Sequence, residues 1–325
     1  MRLSKDSNFS FQNDLTELIN SYTKSRPGEL HLGEILTRDW NKPEIKYVLF
    51  GISESVGPQA NFGRPGAEKA FDSFLEAFCN LQWNSKIKPG SFAYFGKISF
   101  LNSFSSIEEA RCLVNELDEF ILELLKPLIN EGKVPIVIGG GHNNAFPLIQ
   151  LFSEKFQKLS ILNMDAHADC REIEGRHSGN SFSYAFHMGL LSKYGVFGLH
   201  KAYINKSTID FLNEKTVSFE YFENYSLGRK NFKTDIQKFL NSLDSTENLG
   251  IELDFDCIAN FPSSAMNPIG FSISEARTYL EICSTFSRIR YYHFTEAAVI
   301  QSGDERLVGK VLSQLTYDIL CEFNY

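Results

Sequence analysis

Apolar residues recur along the chain in two rhythms. Short, nearly continuous apolar runs occupy Lys46–Ile52, Pro135–Gly139, Leu159–Met164, Val196–Leu199, Gly250–Phe255 and Arg290–Phe294, and these are predicted strands. Helical spacing is predicted over Ser106–Glu131, Ser274–Phe286 and Glu305–Leu320. In the first of these, Ile107, Ala110, Leu113, Val114, Leu117, Phe120, Ile121, Leu124 and Leu125 share one face. Continuous apolar strands separated by helices predict an α/β fold whose parallel sheet is covered on both sides. In such folds ligands collect beyond the carboxyl ends of the strands. The polar, mixed segment 1–40 reads as an N-terminal arm or cap. Residues 41–325 read as one domain, since no repeat or low-complexity linker interrupts them.

Composition narrows the classes. A chain of 325 residues can bury a large core. Hydrophobic residues at 43% and charged residues at 22% are globular proportions, which exclude an extended disordered chain. The net charge of −8, without a basic stripe, argues against nucleic acid as a partner. No run of about 18 apolar residues occurs, so no membrane-spanning helix is expected. The opening "MRLSKDSNFSFQNDL" lacks the apolar core of a secretory signal. Six cysteines (Cys79, Cys112, Cys170, Cys257, Cys283 and Cys321) are scattered, with no CxxC pair. Together these features predict a reduced, cytoplasmic protein. Cys170 and Cys257 each follow a carboxylate and are expected to face packing on the opposite side.

Candidate chemistry gathers at three strand ends. In "LNMDAHADC", side chains alternate along an extended chain, so Asp165, His167 and Asp169 are expected to face one pocket. A short Asp-x-His is also compatible with turn or helix-cap chemistry. In "LGIELDFDC", Asp254 and Asp256 stand two apart, with Glu252 one step further inside. Carboxylates at the end of an apolar strand are costly unless neutralised or hydrated. "VPIVIGGGHNNAF" ends in glycines followed by His142, which suits a tight strand-to-helix turn. The Lys and Ser/Thr of a phosphate loop are missing there. Two imidazoles and four carboxylates exceed what one divalent ion needs. Two ions sharing bridging carboxylates account for them, and oxygen-rich donors with one His each favour Mn²⁺ over structural Zn²⁺. Two such ions, about 3.5–4 Å apart, make hydroxide available near neutral pH, which predicts hydrolysis without a covalent intermediate.

"GGGHN", "DAHAD" and "ELDFD", in this order and spacing, resemble the three signatures of the ureohydrolase superfamily, which includes arginase, agmatinase and formimidoylglutamase. The likeness runs from about Leu49 to the C-terminal helix. It implies a three-layer α/β/α sandwich with a mostly parallel central sheet. It also implies that His142, Asp165, Asp169 and Asp254 hold one Mn²⁺, and that Asp165, His167, Asp254 and Asp256 hold the other. "EGRHSGNSF" is similar to the family's HSG segment, which makes His177 the expected proton shuttle or general acid for the departing amine. A loop histidine that is merely solvated is the plainer alternative. Glu296 in "YYHFTEAAV" falls where the family sets a glutamate against the cationic guanidinium or formimino group. The family's usual Asn-Pro after it is replaced here by Ala297-Ala298.

Two features lean toward formimidoylglutamase. "GGGHN" has glycine where arginase and agmatinase usually have aspartate. "NFGRPGAEKAFDSF" resembles the Asn-x-Gly-Arg-x-Gly segment of formimidoylglutamases, although agmatinases also carry an Arg-x-Gly here. Arg64 is then expected to meet a substrate carboxylate bidentately, a loop-pinning arginine being the alternative. Ser178, Asn180 and Ser181 offer short polar groups to an amino-acid head. Glu252 stands where the family usually has Ser or Thr; a carboxylate there is open to pairing with a Lys or Arg, to staying protonated, or to changing which cation the site fits. The expected reaction converts N-formimidoyl-L-glutamate and water to L-glutamate and formamide; the alternative is arginine to ornithine and urea. An arginase-fold deacetylase would use one Zn²⁺ and a tandem His pair, which the sequence lacks. A non-catalytic homologue sits poorly with a full ligand set. The expected partner is a small amino-acid derivative, with no membrane or nucleic acid. A homo-oligomer is compatible with the resemblance.

Overall fold

A computed structural model describes residues 7–157 and 159–322. Among the described residues, nine strands form a single sheet: Phe9–Gln12 (β1), Tyr47–Ser53 (β2), Phe92–Phe100 (β3), Val134–Ile138 (β4), Leu159–Met164 (β5), Tyr194–Leu199 (β6), Ser218–Tyr221 (β7), Asn248–Asp254 (β8) and Ile289–Thr295 (β9). Their order is β1-β3-β2-β4-β9-β8-β5-β6-β7. Every pairing is parallel except that of β1 with β3. β2, β4, β5 and β8 are buried along their whole length, as strands covered on both faces must be.

Two apolar layers flank the sheet. One face packs Phe71, Phe74, Tyr279, Leu312 and Leu315, from the helices Ala70–Cys79, Ile273–Ser284 and Asp304–Leu320. The other packs Leu117, Ile121, Leu125, Ile149 and Phe152, from the helices Ile107–Asn130 and Ala145–Phe156. The fold is therefore the α/β/α sandwich that the resemblance implies, with the sheet covered on both faces as the chain's rhythm predicts. Helix Ile107–Asn130 starts where the Ser106 side chain accepts a hydrogen bond from the Glu109 backbone N–H (3.1 Å). Ser272 and Glu275 form a reciprocal capping box at the start of Ile273–Ser284. Each large aliphatic side chain sealed between helix and sheet contributes about 1.5–3 kcal/mol. A charge at Ile121 would forfeit that contribution and split the layer.

Residues 1–6 lie outside the described residues. The rest of the segment read as an arm or cap supplies the edge strand β1 and buries Leu15, Ile19 and Leu32. No helix among the described residues is long and apolar enough to cross a membrane.

β4 and β5 follow one another in the chain but are separated in the sheet by β9 and β8. The chain leaves β4 on one side of this gap and re-enters on the other. The carboxyl ends of β4, β9, β8 and β5 thus stand side by side at the crevice where open α/β sheets bind ligands.

Candidate metal centre

Each strand of that quartet ends in a turn that aims a polar side chain at the crevice. After β4, Gly139 (φ 89°) and Gly140 (φ 72°) adopt left-handed backbone. A Cβ on Gly140 would lie 2.4 Å from Asn144 Nδ2 and 2.8 Å from Glu54 Oε1, so only glycine fits. His142 follows and is fully buried. After β5 the chain does not continue as a pleated strand. Asp165 Oδ1 accepts the backbone N–H of His167 (2.7 Å), and Asp169 turns inward at φ 45°. After β8, Asp254 Oδ1 accepts the backbone N–H of Asp256 (2.7 Å) in the same way. The two-residue spacing of both motifs is therefore Asx-turn chemistry rather than strand alternation. The expected pleat is corrected, while the convergence it predicted is present.

Four of these side chains close into one group: ligand atoms of His142, Asp165, Asp169 and Asp254 all lie within 4.8 Å of one another. His142 Nδ1 is 2.8 Å from Asp169 Oδ2, 3.1 Å from Asp254 Oδ2 and 3.2 Å from Asp165 Oδ2. His167 and Asp256 flank the group more loosely. His167 Nδ1 is 3.8 Å from Asp165 Oδ1 and 3.9 Å from Asp256 Oδ2. Asp165 thus faces one imidazole with each of its oxygens.

The electrostatics call for positive charge. Burial raises the carboxyl of Asp254 well above its ordinary range, and repulsion from Asp165 and Asp256 raises it further. Asp169 rises through burial and the Asp165 charge. Asp256 also rises, chiefly through burial. Burial alone would lower His142, but the surrounding carboxylates outweigh it and hold the imidazole well above its ordinary value. His142 Nδ1 is buried and has no hydrogen-bond partner among the described residues. Such an orphaned imidazole nitrogen, ringed by carboxylate oxygens, fits a cation. Four carboxylates and two imidazoles fit two divalent ions of the Mn²⁺ type.

Glu296 follows β9 with φ 64°, a strained setting for this residue. Its Oε1 accepts the His142 backbone N–H (2.7 Å), while Oε2 is buried without a donor among the described residues. Burial, then repulsion from Asp256, raises its carboxyl well above the ordinary range. Asp169, Asp254, Asp256 and Glu296 line a cavity of about 470 Å³ that opens to solvent past Tyr203 and Phe62. The Tyr203 ring stacks on His167, with centroids 5.5 Å apart.

A model of the arginase family matches residues 46–314, more than four-fifths of the chain. The chain belongs to the arginase family. Formimidoylglutamase of Streptococcus gordonii is 25% identical over 226 residues, which cover 66% of this chain and 65% of that protein. The chain thus spans just under two thirds of the length of the curated relatives it matches. The structure of Bacillus subtilis formimidoylglutamase superposes with a TM-score of 0.75 at 14% identity, covering 94% of this chain and 98% of that one. Trypanosoma cruzi formiminoglutamase with Mn²⁺ superposes with a TM-score of 0.72 at 18% identity, covering 91% and 98%.

The remaining residues expected in this arginase-family site fall into two groups. Arg64 and Ser178 line the cavity. Asn180 and Ser181 do not, and their expected role at the substrate is corrected. The Asn180 amide oxygen accepts from Arg176 Nη1 (2.8 Å) and the His177 backbone N–H (3.1 Å), and its Nδ2 donates to the carbonyl of Gly175 (2.7 Å). Ser181 Oγ donates to the His142 carbonyl (2.6 Å). Both are buried and committed to holding the loops. His177 is buried behind Ser178, not solvated and not on the cavity wall. Its Nδ1 accepts the Gly179 backbone N–H (3.1 Å), and Nε2 lies 3.3 Å from Glu174 Oε1. Burial and the charge of Arg111 push its pKa down to about 4. The Cys170 and Cys257 thiols are buried and raised well above their ordinary range, as inert packing groups are.

Two supports escaped the sequence reading, and a third, Glu252, was singled out there without its partner. Glu54, fully buried at the end of β2, accepts from the backbone N–H groups of Gly57 (2.9 Å) and Gly141 (2.8 Å) and from Asn144 Nδ2 (2.8 Å). It ties the His142 turn to the loop that carries Arg64. Arg176, also buried, bonds Asp118 (2.8 Å), Asn180 and the carbonyl of Asn143 (2.7 Å). Among the described residues Glu252 has no Lys or Arg partner; it pairs instead with His293 (2.6 Å). Burial alone would raise it, but His293 and His142 bring its carboxyl down to about 2. Long-range partners set all three roles, and no local pattern announces them.

Proposed function

We propose that this chain is a dinuclear Mn²⁺ hydrolase of linear amidines that converts N-formimidoyl-L-glutamate and water to L-glutamate and formamide. The observation that carries the proposal is the buried His142 Nδ1 within 3.2 Å of three carboxylate oxygens, in a site where Glu296 keeps one oxygen free. The curated relatives named formimidoylglutamase support the choice of substrate. His142, Asp165, Asp169 and Asp254 would hold one ion, and Asp165, His167, Asp254 and Asp256 the other. When bound, the ions would supply hydroxide near neutral pH and positive charge to polarise the C=N group.

The chain's own residues do the rest. Glu296 Oε2 would accept an N–H of the cationic amidine and hold its carbon over the cluster, as a near-attack geometry requires. Arg64 would take a substrate carboxylate at the cavity mouth. His177, neutral at pH 7 with its pKa near 4, would relay a proton from solvent toward the leaving amine through Nε2, the nitrogen left available because Nδ1 accepts the Gly179 N–H. The buried floor keeps bulk water from competing with Glu296 for the amidine.

A substrate panel tests the reading. Mn²⁺-loaded protein is offered formimidoylglutamate, arginine, agmatine and other guanidino acids, with formamide and urea quantified separately. Formamide from formimidoylglutamate is expected to dominate. Dominant urea release would transfer the assignment to a guanidino substrate, and no turnover on any amidine would end it.

A further inference from the structure

Of the arginines near this site, Arg64 and Arg171 line the cavity, whereas two others do not and are spent on the chain. Arg111 is held by Glu174 and by the Glu174 carbonyl. Arg176 is held by Asp118. Arg64 and Arg171 are exposed, line the cavity, and have no ion-pair or side-chain hydrogen-bond partner among the described residues. The backbone of Arg171 is nevertheless pinned. Its N–H donates to the Gly179 carbonyl (3.0 Å), and its carbonyl accepts from Ser183 Oγ (2.6 Å). Its stem packs on Gly179, where a Cβ would lie 3.0 Å from Arg171 Cδ and 2.7 Å from Asn61 Nδ2. Gly179 therefore lets Arg171 and the Asn61–Arg64 loop close on one another. The result is a fixed stem carrying an uncommitted guanidinium, beside a second uncommitted guanidinium.

The charge pattern of the cavity is one-sided. Every carboxylate that lines it is Asp169, Asp254, Asp256 or Glu296, all on the floor. Among the described residues of the wall, no carboxylate waits for an ammonium group. The tail of arginine would bring an α-ammonium to this wall, and agmatine would bring an ammonium with no carboxylate at all. Both would meet guanidinium charge. An amidine carried on a dicarboxylate puts its cation on the floor and offers one anion to each arginine.

We propose that Arg171, together with Arg64, is the specificity-determining pair of this site, each guanidinium taking one carboxylate of an amidine-bearing dicarboxylate. The assignment rests on the amidine-hydrolase reading above. It adds Arg171 as a substrate contact and makes the count of carboxylates the selected property. A planar guanidinium engages a carboxylate through two parallel N–H···O bonds, which an ammonium cannot reproduce. Loss of one such charge-assisted pair weakens binding about 10- to 100-fold.

Calorimetric binding to the Mn²⁺-loaded full chain tests this without turnover. N-formyl-L-glutamate is compared with N-formyl-L-glutamine, which keeps the shape and loses one negative charge. The wild type is expected to prefer the glutamate ligand by about 10-fold or more. Either Arg171→Ala or Arg64→Ala should abolish that preference, and the other should weaken both ligands alike. Arg171→Lys, whose ammonium restores charge without the fork, should recover part of the loss and guards against a folding artefact. In turnover, Arg171→Ala should raise KM for formimidoylglutamate with kcat within about threefold, because the contact is remote from the reacting carbon. Equal affinity of the wild type for the two ligands, or full preference in both alanine variants, would overturn the pair. A wild type that shows the preference but hydrolyses no amidine would sink the hydrolase reading and leave the pair standing.

Discussion

Glu252 Oε2 lies 2.6 Å from His293 Nδ1, across the paired strands β8 and β9. The same oxygen is 3.6 Å from His142 Nε2, and Oε1 accepts the hydroxyl of Tyr291 (2.7 Å). An anion thus stands behind the imidazole whose front nitrogen meets the carboxylate cluster. Outer partners of this kind orient a ligating imidazole and typically change metal affinity 10- to 100-fold. Glu252→Ala is expected to weaken Mn²⁺ binding by about that factor, and Glu252→Gln by less, because it keeps an acceptor in place. Competition with a calibrated chelator measures both. With its carboxyl held near 2, Glu252 stays ionised throughout the working range. Any acid loss of metal above pH 3 should therefore persist in Glu252→Gln.

The shared and unshared carboxylates can be separated by elemental analysis. Asp169→Ala and Asp256→Ala should each lower the Mn²⁺ content from about two ions per chain toward one, since each serves a single proposed ion. Asp165→Ala, whose oxygens face both imidazoles, should lower it below one. His177→Ala should keep both ions and lose about 100-fold or more in kcat. Metal loss in that variant would show the histidine to be structural.

The metal-free protein should lose stability as pH rises above neutrality. His142, Asp169, Asp254 and Glu296 all hold protons more tightly in the fold than in the unfolded chain. The folded state then binds more protons, so unfolding becomes easier with increasing pH. His177 acts in the opposite sense, but only between its folded value of about 4 and its unfolded value near 6.5. Above about pH 6.5 the raised groups act alone. Thermal melts in chelator should show Tm falling from there into the alkaline range, and Mn²⁺ should restore more at the alkaline end. A Tm that climbed over that range without metal would contradict the proton balance.

Glu54 provides a test of loop coupling. Glu54→Gln keeps one oxygen but turns an N–H₂ toward a backbone donor, which costs about 1–3 kcal/mol for a buried mismatch. Urea unfolding should register that cost. Mn²⁺ affinity should fall with it, because the His142 turn and the Arg64 loop share this carboxylate.

The central strands were legible because residues buried on both faces leave no polar interruptions. β1 and β7 were not, because each is a four-residue edge with exposed positions. β3 was missed for a local reason. Gly96 interrupts it at φ 140°, and the pairing with β2 shifts register between Leu49 and Phe50. That glycine marks the close approach of β1, since a Cβ there would lie 2.4 Å from the Gln12 carbonyl oxygen. At the site, clustered chemistry at strand ends made the six proposed ligands readable. Arg171 sat beside them in the same loop, yet an arginine carries no sign of whether its partner is the chain or a visitor. Asn180 and Ser181 illustrate the reverse, as polar residues that the fold consumed.

β9 is laid into the sheet between β4 and β8, although both are synthesised long before it. A growing chain that has not yet emerged past residue 295 lacks the rail that sets the spacing between the His142 turn and the Asp254 turn. A nascent chain still short of residue 295 should therefore hold manganese poorly.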